Sequence, residues 1–233
     1  MFSADEIKQN LGRQAAQLVQ PGMTVGIGTG STADWFIHYL AERIQNGLSC
    51  RGVPTSQHTK LLAQARGISI VELNEADHID LTIDGADEIT PQLQLIKGGG
   101  GALLQEKMVA AASQKRIIIA DETKMVMQLG KFPLPVEVIP YGWKHTKRQI
   151  ERVGCKNVVL RAPEGEIFVT DHGHYILDCH FQKIDNAVLL HTQLNNIPGV
   201  ADNGLCIDLA DQALIGYADG TIKTFSVPGL QRL

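Results

Sequence analysis

Hydrophobic positions change period several times along this chain. Between residues 4 and 20, apolar side chains recur every three or four positions, at Ile7, Leu11, Ala15 and Leu18. That is the spacing of a helix with one buried stripe. Pro21 and Gly22 end it. Residues 24–28 read as a short buried strand, and 33–46 as a second helix with Phe36, Leu40 and Ile44 on one stripe. Runs at 68–73, 79–84 and 116–121 have strand character, and an Ala-rich helix is expected over 102–114. This alternation predicts an α/β fold, a Rossmann-like and mainly parallel sheet with helices on both faces.

The pattern changes near residue 131, where Pro133 and Pro135 exclude a regular helix. Beyond them come a short helix at 144–153, strands near 157–161, 167–170 and 175–181, and a helix near 183–195. After Pro198 and Gly199, strands at 205–208, 212–217 and 221–225, with a turn at Asp219-Gly220, are expected to rejoin the main sheet. The expected division is a main catalytic domain of 1–130 and 204–233, interrupted by a small α+β domain over 131–203 that acts as a lid or oligomer contact. Within it, His172, His174, Ile176, Asp178 and His180 share one face of a strand, opposite Tyr175, Leu177, Cys179 and Phe181. An amphipathic strand with a solvated polar face accounts for these histidines without a metal.

Composition narrows the partners. A chain of 233 residues with 44% hydrophobic positions buries a sizeable core. Its net charge of −4 gives no reason to expect nucleic acid. The four cysteines are scattered without a CxxC pair, which suits a reducing cytosol. The polar start lacks a signal-peptide core and no run of 18 apolar residues occurs, so no membrane span and a cytoplasmic location are expected.

Three segments carry candidate chemistry. In the first, a strand runs into Gly26-Ile27-Gly28-Thr29-Gly30-Ser31-Thr32 and then a helix. Free amides and a positive dipole end at a helix start suit phosphate, and Thr29, Ser31 and Thr32 add hydroxyls. Ser31 and Ala33 stand where a dinucleotide fingerprint needs glycine, and no G-K-[ST] follows. A tight strand–helix turn with a Ser or Thr cap is the plainer reading. The second segment, Asp84-Gly85-Ala86-Asp87-Glu88, sets three carboxylates at the end of a strand, where ligands sit in parallel sheets. A solvated loop and a divalent-metal site are its alternatives. The third, Lys97-Gly98-Gly99-Gly100-Gly101, leads into a helix bearing Glu106. Consecutive glycines are costly in conformational entropy, so a backbone nest for an oxyanion is the sharper reading. Glu106 is otherwise an ordinary helix-start acid.

Taken together, GIGTGSTA (26–33), DGADEI (84–89), IKGGGGALLQEK (96–107), IADETK (119–124), LGKFPLPVEVIP (129–140), IPGVADNGL (197–205) and ALIGYADG (213–220) closely resemble the type A ribose-5-phosphate isomerase family over nearly the whole chain. The resemblance implies interconversion of D-ribose 5-phosphate and D-ribulose 5-phosphate in the non-oxidative pentose phosphate pathway. It implies no cofactor, no metal and a homodimer. It marks Glu106 as the proton acceptor, with Asp84, Asp87 and Lys97 sharing the chemistry. Substrate contacts are implied at Thr29, Gly30, Ser31, Thr32, Asp84, Gly85, Ala86, Asp87, Lys97, Gly98, Gly99, Gly100, Lys124 and Lys8. The sequence departs from the family at His172 and His174, where asparagine is frequent. An amino-sugar phosphate isomerase–deaminase and a non-catalytic sugar-phosphate sensor are the competing readings. Sensors of related fold carry a helix–turn–helix module, for which this chain shows no segment.

Overall fold

The computed structural model describes residues 1–226; the stretch 227–233 of the expected main domain lies outside the described residues. Helix α1 (Ala4–Ala16) is followed by β1 (Thr24–Ile27), α2 (Ser31–Gln45), β2 (Arg51–Pro54), α3 (Gln57–Ala65) and β3 (Ile79–Asp84). Two short strands, β4 (Glu88–Ile89) and β5 (Leu95–Ile96), precede α4 (Leu103–Ala111) and β6 (Ser113–Asp121). Then come β7 (Leu134–Val138), α5 (Trp143–Arg152), β8 (Val158–Leu160), β9 (Tyr175–Cys179), α6 (Ala187–Asn195) and β10 (Val200–Asn203). The described chain closes with β11 (Leu205–Cys206), β12 (Gln212–Gly216) and β13 (Ile222–Ser226).

Six strands form the main sheet in the order β13-β12-β6-β3-β1-β2. Neighbours are parallel except β13, which runs antiparallel to β12 at one edge. A capping box starts α1: the Glu6 amide donates to Ser3 Oγ, and the Ser3 amide to Glu6 Oε2. Leu11 of α1 and Phe36 and Leu40 of α2 are fully buried against Val25, Ile27, Ile83 and Ile119 of the sheet. Burial of such side chains contributes roughly 1.5–3 kcal/mol each. Strand alternation sends Ile118, Ala120, Ala213 and Ile215 to the opposite face. There they meet Ile89, Leu95 and Cys206, which belong to a small sheet of order β11-β5-β4. Val109 of α4 packs on the same side with Val53 and Ile79.

A third sheet, β10-β7-β9-β8, takes all its strands from residues 134–203. Ile150 of α5 and Leu190 and Leu194 of α6 share a core with its Val136, Val138 and Leu177. Ile96 and Leu205 of the small sheet join that core, so this unit is packed onto the rest of the molecule.

Four expectations need correction. Residues 68–73 form only a bridge at Ile70 to Gly52. The amide and carbonyl of Gly52 bond to Ser69 and Val71; two residues on, Pro54 has no N–H to offer on that same edge, so the ladder stops. Residues 167–170 contribute one bridge, Val169 to Tyr175. Leu205–Cys206 pairs with β5 instead of the main sheet. Finally, the even face of 172–180 is only partly solvated: His172 is exposed, but Ile176 is fully buried, His174 Nδ1 lies 3.0 Å from the buried Glu137 carboxylate, and Asp178 pairs with Arg161. No helix among the described residues is long and apolar enough to cross a membrane.

Candidate active site

A cleft opens at the carboxyl ends of β1, β3 and β6, where open parallel sheets bind ligands. It holds a cavity of about 130 Å³. Lys8, residues 29–33, 85–87 and 97–100, Glu106 and Lys124 line it. Four loops, α1 and α4 therefore bring together candidates that the sequence scattered over more than a hundred positions.

One end of the cleft is built to receive an anion. Helix α2 has Gly30 as its N-cap, with φ at 118° and no side-chain cap. Its first intrahelical bond runs from the Asp34 amide to the Gly30 carbonyl, at 2.9 Å. The amides of Ser31, Thr32 and Ala33 precede that bond and belong to the unpaired helix start, where the positive dipole end favours an anion. Lys8 Nζ donates to Ser31 Oγ at 2.9 Å. Lys124 reaches the cleft from the 3-10 turn Glu122–Lys124 after β6. Asp121 fixes that turn by accepting the Thr123 amide at 3.0 Å.

Thr29 differs from expectation. Its hydroxyl turns away into a cluster, 2.8 Å from both Thr55 Oγ1 and Ser56 Oγ and 3.0 Å from Thr59 Oγ1. It ties the β1–α2 loop to the β2–α3 loop and is not a spare donor for a ligand. The three partners come from 51–65, a stretch for which periodicity predicted no element. Gly28 is required for close approach: a Cβ there would stand 2.1 Å from Asp84 Oδ1.

The other end holds acids around one lysine. Lys97 Nζ lies 2.9 Å from Asp84 Oδ2 and 2.6 Å from the Gly85 carbonyl. Glu106 Oε2 is 3.4 Å away but makes no hydrogen bond, so the third ammonium donor is the least committed. All three side chains are more than nine-tenths buried. Burial acts against the Lys97 ammonium, yet the Asp84 and Glu106 carboxylates more than offset it and hold its pKa above the usual lysine value. Burial pushes the Glu106 carboxyl up to about 8, against the pull of Lys97. A base of that pKa is matched to neutral operating pH.

Asp84 and Asp87 part company here. Asp84 Oδ1 accepts the amides of Gly85 at 2.7 Å and Thr29 at 3.2 Å, and Oδ2 holds Lys97. It is buried and does not line the cleft. Asp87 lines the cleft, and its Oδ2 accepts the Gly99 amide at 2.7 Å. Burial raises its pKa, opposed by that hydrogen bond and by the charges of Lys97, Lys124 and Arg161.

The sequence reading missed Arg161, at the end of β8. Its Nη1 donates to the carbonyls of Gly98 and Gly99 at 2.9 and 3.1 Å. Its Nε and Nη2 bind Asp178 at 2.9 and 2.6 Å. The signal in the sequence is Asp178, a carboxylate on a strand facing its neighbour β8. Two further contacts cross from the same unit: Asp171 accepts the Gln57 amide at 2.8 Å, and His172 meets Gln105 at 3.2 Å.

The chain is similar to known proteins in both sequence and fold. The sequence model of ribose 5-phosphate isomerase A (phosphoriboisomerase A) matches residues 51–220. The chain is 51% identical over 215 residues to ribose-5-phosphate isomerase A of Bacillus mycoides, covering 92% of this chain and 97% of the relative. The solved structure of ribose 5-phosphate isomerase A from Methanocaldococcus jannaschii superposes with a TM-score of 0.91 at 40% identity, covering 97% of this chain and all of that one. A D-ribose-5-phosphate isomerase solved in complex with phospho-erythronic acid gives 0.93 at 37% identity, with 97% of this chain and 100% of that one covered. A match of this extent in sequence and fold means that the chain belongs to the ribose 5-phosphate isomerase A family.

Proposed function

We propose that this protein interconverts D-ribose 5-phosphate and D-ribulose 5-phosphate through a cis-enediolate, with Glu106 as the base. The observation that carries the reading is Glu106 itself: a buried carboxylate oxygen without a hydrogen bond, 3.4 Å from an ammonium, inside a cleft whose far end suits a phosphate.

Moving an aldose carbonyl from C1 to C2 shifts one carbon-bound proton and one hydroxyl proton, with no net redox. The difficult step is taking the proton from C2. A carboxylate held over the C1–C2 bond takes it and returns it to C1 on the same face. The enediolate oxygens then need donors. The third N–H of Lys97 and the Gly100 amide of the glycine loop supply them. Asp87 orients substrate hydroxyls from the cleft wall, while Asp84 works by holding Lys97. The amides at the start of α2, the Ser31 and Thr32 hydroxyls, Lys8 and Lys124 anchor the phosphate, and this remote binding orients the reacting end. Phospho-erythronic acid in a structural relative supports a phosphorylated sugar-like ligand.

On this reading the unit at 131–203 serves as a lid and as the contact of a homodimer. Its cross-contacts through Arg161, Asp171 and His172 support the first role. Its exposed Ile139, Tyr141, Val188 and Leu189 support the second. Four free thiols support a reducing, cytoplasmic setting. The test is a ketose-formation assay with ribose 5-phosphate in excess EDTA. Turnover that survives chelation is expected. Full loss on chelation, rescued by one divalent ion, overturns the metal-free mechanism, and absence of ketose in any buffer overturns the reading itself.

A further inference from the structure

We infer that Arg161 is a positioning residue for the isomerisation: it sets two successive peptide planes of the glycine loop, so that the Gly99 N–H holds Asp87 and the Gly100 N–H faces the reacting oxygens of the substrate. The inference rests on the isomerase reading above. In a trans peptide the carbonyl of one residue and the N–H of the next point to opposite sides, and no cis peptide occurs among the described residues. The Gly98 carbonyl accepts from Arg161 Nη1 at 2.9 Å. The Gly99 N–H must then point away from Arg161, and there it meets Asp87 Oδ2 at 2.7 Å. The next peptide repeats the pattern. The Gly99 carbonyl accepts from the same nitrogen at 3.1 Å, which turns the Gly100 N–H away from Arg161. Gly100 lines the cleft, and its N–H has no hydrogen-bond partner among the described residues.

A run of four glycines has no preference of its own for this arrangement, because each can rotate with little steric penalty. The Gly101 N–H closes a turn on the Gly98 carbonyl at 3.0 Å, but the intervening Gly98–Gly99 and Gly99–Gly100 peptide planes take their hold from outside the loop. One cation facing two carbonyl oxygens supplies it, since flipping either plane turns an N–H toward the guanidinium. Arg161 is itself held in place. Asp178 grips it through two nitrogens, and the pair is 14% and 21% exposed, which favours strong charge-assisted bonds. Phe168 closes the loop from beside it: a Cβ at Gly101 would stand 2.4 Å from the ring, and the ring centre lies 5.7 Å from the guanidinium. A lysine lacks the planar fork with which Arg161 grips both Asp178 oxygens while a separate nitrogen faces the two carbonyls. The unit at 131–203 thus reaches into the site through this arginine as well as covering it.

The experiment compares the full-length wild type with Arg161→Lys and with the paired variant Arg161→Met/Asp178→Asn, which leaves no stranded carboxylate. Turnover and KM for ribose 5-phosphate, the inhibition constant of inorganic phosphate, and thermal melting are measured for each. Both variants are expected to lose about tenfold to a hundredfold in kcat, less than the roughly 10²–10³ lost when an oxyanion donor is deleted outright. Inhibition by inorganic phosphate should stay within about twofold, because the α2 start is untouched. Wild-type kcat in Arg161→Lys overturns the inference. So does a parallel loss of kcat and phosphate affinity, which marks general damage to the cleft. If the paired variant fails to fold, Arg161→Lys, which keeps the ion pair, carries the test alone. A wild type that makes no ketose takes down the isomerase reading and this inference together, whereas an active wild type with unaffected variants takes down this inference only.

Discussion

Exchanging Glu106 for Gln keeps the size and the hydrogen-bonding head of the side chain and removes the base. Loss of a general base typically lowers the rate by about 10²–10⁴, or roughly 3–5 kcal/mol of barrier. The surroundings survive the change. Lys97 keeps Asp84 at 2.9 Å and the Gly85 carbonyl at 2.6 Å, so it is not stranded as an unpaired buried charge. The phosphate end shares no side chain with Glu106, so inhibition by inorganic phosphate should be unchanged. Two consequences follow from the Glu106 carboxyl being pushed up to about 8 by burial. In the wild type, kcat/KM should climb with pH through an acid limb in that region, because the working form is the carboxylate. For stability the sign runs the other way. The folded pKa lies above the unfolded value of about 4.3, so the contribution of this group is fully present below that pH and is lost as pH rises through about 8. Gln does not titrate. The melting temperature of the variant should therefore gain on that of the wild type between pH 5 and pH 9. Ketose formation, phosphate inhibition and melting at the two pH values are the measurements, with solvent-deuterium exchange at substrate C2 alongside. The wild type should exchange part of that hydrogen, and the variant should lose exchange and turnover together. A folded variant with near-normal turnover would falsify the assignment.

Further outcomes test the rest of the site. Asp84→Asn removes a negative charge that raises the Glu106 pKa, so the acid limb of kcat/KM should move to lower pH, and an unmoved limb would contradict the coupling. Lys8→Met and Ser31→Ala should raise KM and weaken inorganic phosphate inhibition more than they lower kcat, and free ribose should be a very poor substrate; efficient turnover of ribose would undo the assignment of the anion end. Gly28→Ala would set a Cβ 2.1 Å from Asp84 Oδ1, so melting temperature and activity should fall together, and a variant with wild-type melting would show that the loop yields.

What the sequence made legible was whatever is local. The β1–α2 turn, the end of β3 and the glycine run before α4 announced themselves through short apolar runs that stop at Gly and Asp, because strand ends and helix starts are decided by neighbouring residues. The direction of a side chain past those ends was not legible. Thr29 reads as a ligand donor until Thr55, Ser56 and Thr59, 26 to 30 positions away, take its hydroxyl. Asp84 and Asp87 look equivalent on paper. One is the last residue of β3 and is buried outside the lining, while the other lies beyond the strand and faces the cleft. Arg161 lies 63 positions from Gly98, and no local pattern links an arginine after a short strand to a glycine loop in another part of the chain. The brief strand Leu205–Cys206 has too few residues to specify a partner, and tertiary packing assigned it to β5.

The two ends of the cleft carry opposite electrostatic character, and this alone orients a sugar phosphate. At the acid–base end, Asp84 and Glu106 surround a single Lys97, and Asp87 stands on the wall, so a phosphate dianion is repelled there. At the other end, a helix start, Lys8 and Lys124 attract it. On the proposed function, the substrate enters phosphate-first toward α2, and its carbonyl end is left beside Glu106. Burial is the main cause of the raised Glu106 pKa, and Asp84 and Asp87 add to it, so the acids that help to tune the base also oppose a phosphate at that end. A change that neutralises Asp84 or Asp87 to ease the burial of charge at the catalytic end should for that reason also weaken discrimination between the two orientations of the ligand.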